Sequence, residues 1–107
     1  IVLIRYEVGD MFLSEADCLV NTVNCEGYMG KGIAYQFKLK YPDNNKDYVK
    51  HVERTIKIGS LHWFREDGKM IINFPTKDKW REKSKISYIE TGLNKMVEVL
   101  PQLSVQQ

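Results

Sequence analysis

Residues 19–33 read Leu-Val-Asn-Thr-Val-Asn-Cys-Glu-Gly-Tyr-Met-Gly-Lys-Gly-Ile, and no other stretch restricts the fold as much. Cys18, Leu19, Val20 and Val23 form an apolar run that predicts a buried strand over 17–23. The strand feeds a loop carrying Gly27, Gly30 and Gly32, and helical character starts at about Ile33. A strand, a glycine loop and a helix start in that order aim free backbone N–H groups and the positive helix end at one point. Such a cradle suits phosphate, and Gly30 and Gly32 let a ligand approach the backbone closely. Two familiar phosphate loops are excluded. In a Walker A loop the first glycine would fall at Cys25, and Ser or Thr would follow Lys31, where Gly32 stands. The dinucleotide pattern G-x-G-x-x-G fails because Tyr35 takes the place of its third glycine. A phosphate cradle of another kind is expected, with a plain connecting turn as the alternative.

The remaining pattern alternates strands and helices. Residues 2–7 are apolar and β-branched until Gly9-Asp10 breaks them, which predicts a strand ending in a turn. Ile33, Ala34 and Phe37 share one face of a first helix that stops before Pro42. Asp43 or Asn44 is expected to cap a second helix with the stripe Tyr48, Val49, Val52 and Ile56, ended by Gly59. Residues 61–64 and 70–74 read as strands joined by a hairpin turn at Glu66-Asp67-Gly68-Lys69. Ser84 is expected to cap a last helix with Ile86, Ile89, Leu93, Met96, Val97 and Leu100 on one stripe, and Pro101 follows it. This order predicts an α/β fold: a mixed sheet with helices on both faces.

Composition adds exclusions. The 107 residues are 43% apolar and 28% charged, which fits one globular domain over 1–107. Sixteen Lys+Arg against fourteen Asp+Glu leave a net charge of +2, too small to argue for nucleic acid or membrane. The apolar runs are far shorter than the roughly 18 residues a membrane helix needs, so no membrane partner is expected. The two cysteines, Cys18 and Cys25, fit no standard zinc spacing, and His51 and His62 sit far from them in sequence. No metal site is expected; two free thiols suit a reducing cytoplasm. A catalytic Cys25 would need an activating base that nothing nearby in sequence supplies.

Two asparagines frame the end of the first strand, where asparagine is disfavoured. Asn21 is expected to satisfy loop backbone and Asn24 to contact a sugar hydroxyl. The segment 76–85 holds five Lys/Arg (Lys77, Lys79, Arg81, Lys83, Lys85) and two acids, interleaved with Trp80. Cations could track phosphates while the indole stacks on an unpaired base; a solvated loop is the equal alternative.

The stretches Val8-Gly9-Asp10-Met11-Phe12, Leu19 through Asn24, Met29-Gly30-Lys31-Gly32-Ile33-Ala34-Tyr35-Gln36-Phe37, Ile72-Asn73-Phe74-Pro75-Thr76-Lys77 and Trp80-Arg81 together resemble a macrodomain. The resemblance is to the DarG type, antitoxins that remove ADP-ribose from DNA, related to the terminal ADP-ribose protein glycohydrolases, and it runs over nearly the whole chain. It implies that Asp10 bonds the adenine amine and the Met11 N–H a ring nitrogen. It implies that Met29, Gly30, Lys31, Gly32 and Ile33 wrap the diphosphate and distal ribose, with Asn24 near the reactive carbon. Lys77 matches the catalytic lysine: a partly deprotonated amine can form a Schiff base at the anomeric carbon. Lys79, Trp80 and Arg81 are the expected DNA contacts. ADP-ribose is ligand or product and no cofactor is implied; a cognate ADP-ribosyltransferase toxin is the implied partner.

The resemblance also implies a further strand, a second glycine-rich loop and a closing helix, which nothing after Pro101 matches. With Ile1 as first residue, a trimmed chain and a half-open pocket are expected. No acidic partner for Lys77 is assignable; Glu26 is merely the nearest. Three functions remain open: a glycohydrolase acting on modified DNA, a module that binds ADP-ribose without cleaving it, and a nucleic-acid-binding module using the basic segment.

Overall fold

The computed structural model describes residues 8–79 and 81–105, with side chains described as far as Pro101. The expected strand over 2–7 lies outside the described residues, as does Trp80. The described elements are a 3-10 turn (Met11–Leu13), β1 (Cys18–Val23), α1 (Gly32–Lys40), α2 (Pro42–His51), β2 (His62–Glu66), β3 (Lys69–Pro75) and α3 (Ile86–Val105).

β3 is the middle strand. It pairs in parallel with β1, from Cys18 opposite Met70 to Val23 opposite Pro75. It pairs antiparallel with β2, giving the order β1-β3-β2. The hairpin between β2 and β3 turns on Asp67 and Gly68, with φ of 51° and 75°. Two left-handed residues in succession are what a tight two-residue hairpin demands, and an Asp-Gly pair meets the demand cheaply. β3 is covered on both sides, and its Met-Ile-Ile-Asn-Phe-Pro run is the near-continuous apolar sequence expected of such a strand.

The alternation of side chains along β1 and β3 sorts the core. Leu19 and Ile71 meet Phe37 of α1 and Tyr41 on one face. Val23 meets Met29, Tyr48 of α2 and Ile56 on the same side. Met70 and Ile72 point the other way, toward Val99 and Met96 of α3. Helices therefore cover both faces of a mixed sheet, as the alternation of elements predicts.

Three local expectations are corrected. α2 is capped by neither Asp43 nor Asn44. Pro42 occupies its first turn, with Tyr41 at the cap. Proline is pre-set for that position, where its missing N–H costs nothing. Asn44 is instead fully buried. α2 also ends at His51, eight residues before Gly59, so Ile56 joins the core from the turn that follows. α3 begins at Ile86, two residues after Ser84, and runs through Pro101.

The expected stripe of α3 is largely on its outer side. Ile86 and Val97 are each 76% exposed, and Ile89, Leu93 and Leu100 are exposed as well. Gly92 and Val99 face the sheet instead. A Cβ on Gly92 would lie 2.4 Å from the Phe74 ring, so the missing side chain is what lets α3 settle onto β3. The carbonyl that loses its partner to Pro101 belongs to exposed Val97, where water can take its place.

Candidate functional site

Because β1 and β3 run parallel, their carboxyl ends lie at the same edge of the sheet. Ligands bind at such edges in α/β folds. The pairing continues beyond both strands. The Thr76 N–H donates to the Val23 carbonyl at 3.0 Å, and the Cys25 N–H to the Asp78 carbonyl at 2.8 Å. This zip carries the segment after β3 alongside the glycine loop after β1. Thr22, Asn24, Tyr28, Gly30, Lys31, Ile33, Thr76 and Lys77 consequently line one open cleft of about 130 Å³.

The loop is shaped from within by one asparagine. Asn24 Oδ1 accepts the N–H groups of Glu26 (2.9 Å) and Tyr28 (3.3 Å), while its Nδ2 donates to the Tyr28 carbonyl at 2.7 Å. Tyr48, fully buried on α2, braces the same loop. Its hydroxyl donates to the Asn24 carbonyl at 2.7 Å and accepts the Gly27 N–H at 3.2 Å. Burial drives the Tyr48 hydroxyl pKa well above its ordinary value. Gly30 stays open to a ligand on one side while the Tyr28 ring lies against it: a Cβ there would meet the ring at 2.1 Å. Gly32, with φ of 65° and nothing near a Cβ position, turns the chain into α1. Lys31 stands at the cap of α1, and Ile33 and Ala34 bring the start of the helix, with its positive dipole end, to the cleft.

The expectation for Asn21 is corrected: it does not satisfy loop backbone. Asn24 is the one that satisfies loop backbone, although it also lines the cleft. Asn21 donates instead to Asn73 Oδ1 at 3.1 Å and faces Met29 Sδ at 3.7 Å. Met29, expected against the ligand, buries its side chain in the core with Val23, Tyr48 and Ile56, which leaves only its backbone to the loop. Asp10 Oδ1 accepts the Phe12 N–H at 2.9 Å and caps the 3-10 turn. Asp10 and Met11 line a second depression with Gly9, Leu13 and Ser14, apart from the first. Lys77 is half-buried in the cleft, Lys79 and Arg81 are exposed beside it, and Glu26 is exposed on the loop.

A nucleophilic Cys25 is not supported. Burial, with the Asp78 charge adding to it and a backbone bond at Ile58 opposing, pushes its thiol up to about 11. It is protonated at neutral pH. Sequence separation had hidden a further cluster: Asp47, His51 and His62 hold their donor atoms within 4.8 Å of one another. No described helix is long and apolar enough to cross a membrane.

A parallel strand pair ending in a glycine loop and a helix N-terminus, with a lysine on the opposite lip, builds a cleft at the carboxyl edge of the sheet in an α/β domain. The Macro domain profile matches residues 20–107, and the chain belongs to the macrodomain family. Within that family it stands with the DarG macrodomains. It superposes on that of Mycobacterium tuberculosis DarG with a TM-score of 0.87 at 45% identity, covering 92% of this chain and 68% of that one. For Thermus aquaticus DarG the TM-score is 0.85 at 40% identity, covering 90% and 67%. Among curated relatives, the M. tuberculosis DNA ADP-ribosyl glycohydrolase is 44% identical over 108 residues, 96% of this chain and 31% of that protein. A Thermosipho africanus DNA ADP-ribosyl transferase-DNA ADP-ribosyl glycohydrolase fusion protein is 33% identical over 112 residues, 84% of this chain and 28% of that protein. The chain spans about a third of the length of these curated relatives.

Proposed function

We propose that residues 1–107 form one macrodomain that binds ADP-ribose and hydrolyses it from modified DNA. The observation that carries this reading is the zip between residues 23–25 and 76–78, which sets Lys77 across one cleft from Asn24, Gly30 and Lys31. The relatives' names supply the substrate: DNA ADP-ribosyl glycohydrolase for the curated relatives, and a DarTG solved in complex with ADP-ribose for a structure with TM-score 0.84.

In this reading the backbone of residues 29–33 and the start of α1 take the diphosphate, while Asp10 and the Met11 N–H take the adenine. The distal ribose then lies between Asn24 and Lys77. The Lys77 amine forms a bond to the anomeric carbon of the ring-opened ribose as the bond to the nucleobase nitrogen breaks, and the base leaves with a proton. Water hydrolyses the imine, which returns the amine and frees ADP-ribose. Lys79 and Arg81 follow the DNA phosphates. A cognate ADP-ribosyltransferase is the natural partner, a reading supported by the fused transferase of the Thermosipho relative. Two free cysteines fit a cytoplasmic setting.

The test is release of ADP-ribose from ADP-ribosylated DNA by the wild type and by Lys77→Ala. Loss of release with ADP-ribose binding retained supports hydrolysis by Lys77. Unchanged release removes the lysine from the mechanism. Binding without release in the wild type favours a recognition module, and affinity for unmodified DNA with none for ADP-ribose favours the nucleic-acid reading.

A further inference from the structure

Outside the lining of the cleft, three side chains converge from two elements. Asp47 and His51 stand four residues apart on α2, which puts them on one face, and His62 opens β2 beside them. His62 Nε2 lies 2.7 Å from Asp47 Oδ2, and His51 Nδ1 lies 3.5 Å from the same oxygen. The two imidazole centroids are 5.6 Å apart. Two imidazoles and a carboxylate at these separations are a three-ligand set suited to zinc-like ions. A tetrahedral ion with bonds of about 2.0–2.1 Å needs donors about 3.3 Å apart. Asp47, which is 28% exposed, can swing that far. His51 is the last residue of α2, where the negative end of the helix favours a cation.

We propose that Asp47, His51 and His62 form a binding site for a divalent transition-metal ion of zinc type, which ties the end of α2 to β2.

The surroundings of His62 supply the support such a ligand needs. Without the ion, protons stand in its place. His62 Nδ1 accepts the Asn73 amide at 2.7 Å, so Nε2 carries the proton and donates to Asp47. His51 Nδ1 lies 2.8 Å from the Asp47 carbonyl, to which it donates. Binding moves each proton to the other ring nitrogen. For His51 that nitrogen reaches solvent, since the side chain is 38% exposed. For His62 it is Nδ1, which then needs an acceptor, the usual second partner of a metal-bound histidine.

Asn73 provides that acceptor by turning its amide. Asn73 and Asn44 form a reciprocal amide pair at 2.9 and 3.3 Å, and Asn21 donates to Asn73. If the three amides turn together, every one of these bonds is kept with donor and acceptor exchanged. Asn21 Oδ1 is buried with no partner among the described residues, so the turn trades one unmatched amide atom for the other. None of the three ligands lines the cleft, so the ion is structural rather than catalytic. It acts on the cleft through Tyr48, the residue after Asp47, which braces the glycine loop.

The test titrates the chelator-treated chain with Zn²⁺ against a chromophoric chelator, then with Co²⁺ by absorption spectroscopy, for the wild type and for His51→Ala and Asp47→Asn. His51 is peripheral enough for its variant to fold, which the melting temperature of the chelator-treated protein checks. The expected result is one ion per chain, a raised melting temperature with Zn²⁺, and a Co²⁺ spectrum without thiolate charge transfer. Supporting groups around a metal tune affinity about 10–100-fold, so each variant, lacking a direct ligand, should bind at least about a hundredfold more weakly. No saturable binding, undiminished binding in both variants, or a thiolate band from Cys18 or Cys25 overturns the proposal.

Discussion

The glycine loop, shaped from within by Asn24, is braced from α2 by one hydroxyl, and Tyr48→Phe removes only that. The ring stays packed among Val23, Met29 and Ile56, so no apolar burial is lost. What disappears is the bond from the Gly27 N–H at 3.2 Å and the donation shared between the Asn24 carbonyl at 2.7 Å and Asn24 Oδ1 at 3.0 Å. Each typical bond contributes about 1 kcal/mol, and a buried group left without a partner costs about 1–3 kcal/mol. Gly27 is half-buried and can recover water; Asn24, 6% exposed, cannot easily. The expected loss is about 2 kcal/mol, roughly thirtyfold in the folding equilibrium. In a chain of this size it lowers Tm by about 10 °C. Urea unfolding should show a lower midpoint with an unchanged slope, because the folded and unfolded surfaces are the same. Calorimetry with ADP-ribose should show weakened binding, since the loop must now be ordered by the ligand itself. A Tyr48→Phe protein within about 0.5 kcal/mol of the wild type, with unchanged affinity, would refute the claim that α2 braces the loop.

Further outcomes follow from the same geometry. Gly30→Ala should leave stability within about 1 kcal/mol, because the half-exposed Tyr28 ring can move aside. It should weaken ADP-ribose binding about tenfold or more by displacing the cleft wall, as read by calorimetry. Gly92→Ala should destabilise by about 1–3 kcal/mol in denaturant despite alanine's better helix propensity, because its Cβ would strike the buried Phe74 ring. Burial holds the His62 pKa below its ordinary 6.5, against the opposing pull of Asp47. The unfolded chain therefore binds more protons in the window just below 6.5. The stability His62 contributes is complete above that value and is lost as pH falls through the folded pKa. Unfolding with a chelator present should be flat in this contribution above about pH 7 and decline below 6.5, and His62→Asn should remove that component.

How far the fold could be read ahead depended on where the information sat. The β1–glycine loop–α1 unit and the Asp67-Gly68 hairpin are local, so residue types along one stretch carry them. Pro42 was legible as the stop of α1, but it is equally the start of α2, and it displaced the expected caps. The facing of α3 depends on a fit between Gly92 and Phe74 that leaves no periodic trace, whereas its outer residues gave the stronger apolar pattern. Lys77 was locally indistinguishable from its basic neighbours. Only the resemblance singled it out, and only the pairing beyond β3 explains why it and not Lys79 lines the cleft. The placement of Asn21 and Asn24 has the same root. Both sit near the end of one strand, and which one meets the loop depends on side-chain alternation against α2 and β3. Asp47, His51 and His62 came together only through α2–β2 packing.

The central claim is that the backbone at the carboxyl ends of β1 and β3 holds ADP-ribose with Lys77 at its distal ribose. Calorimetric titration of the chain with free ADP-ribose tests it most directly, with Gly32→Val as the paired variant. The predicted result is saturable binding at one site per chain, weakened at least about tenfold by Gly32→Val, whose side chain cannot adopt the φ of 65° the loop requires without strain. No saturable heat with the wild-type chain, or equal affinity in the variant, would contradict it.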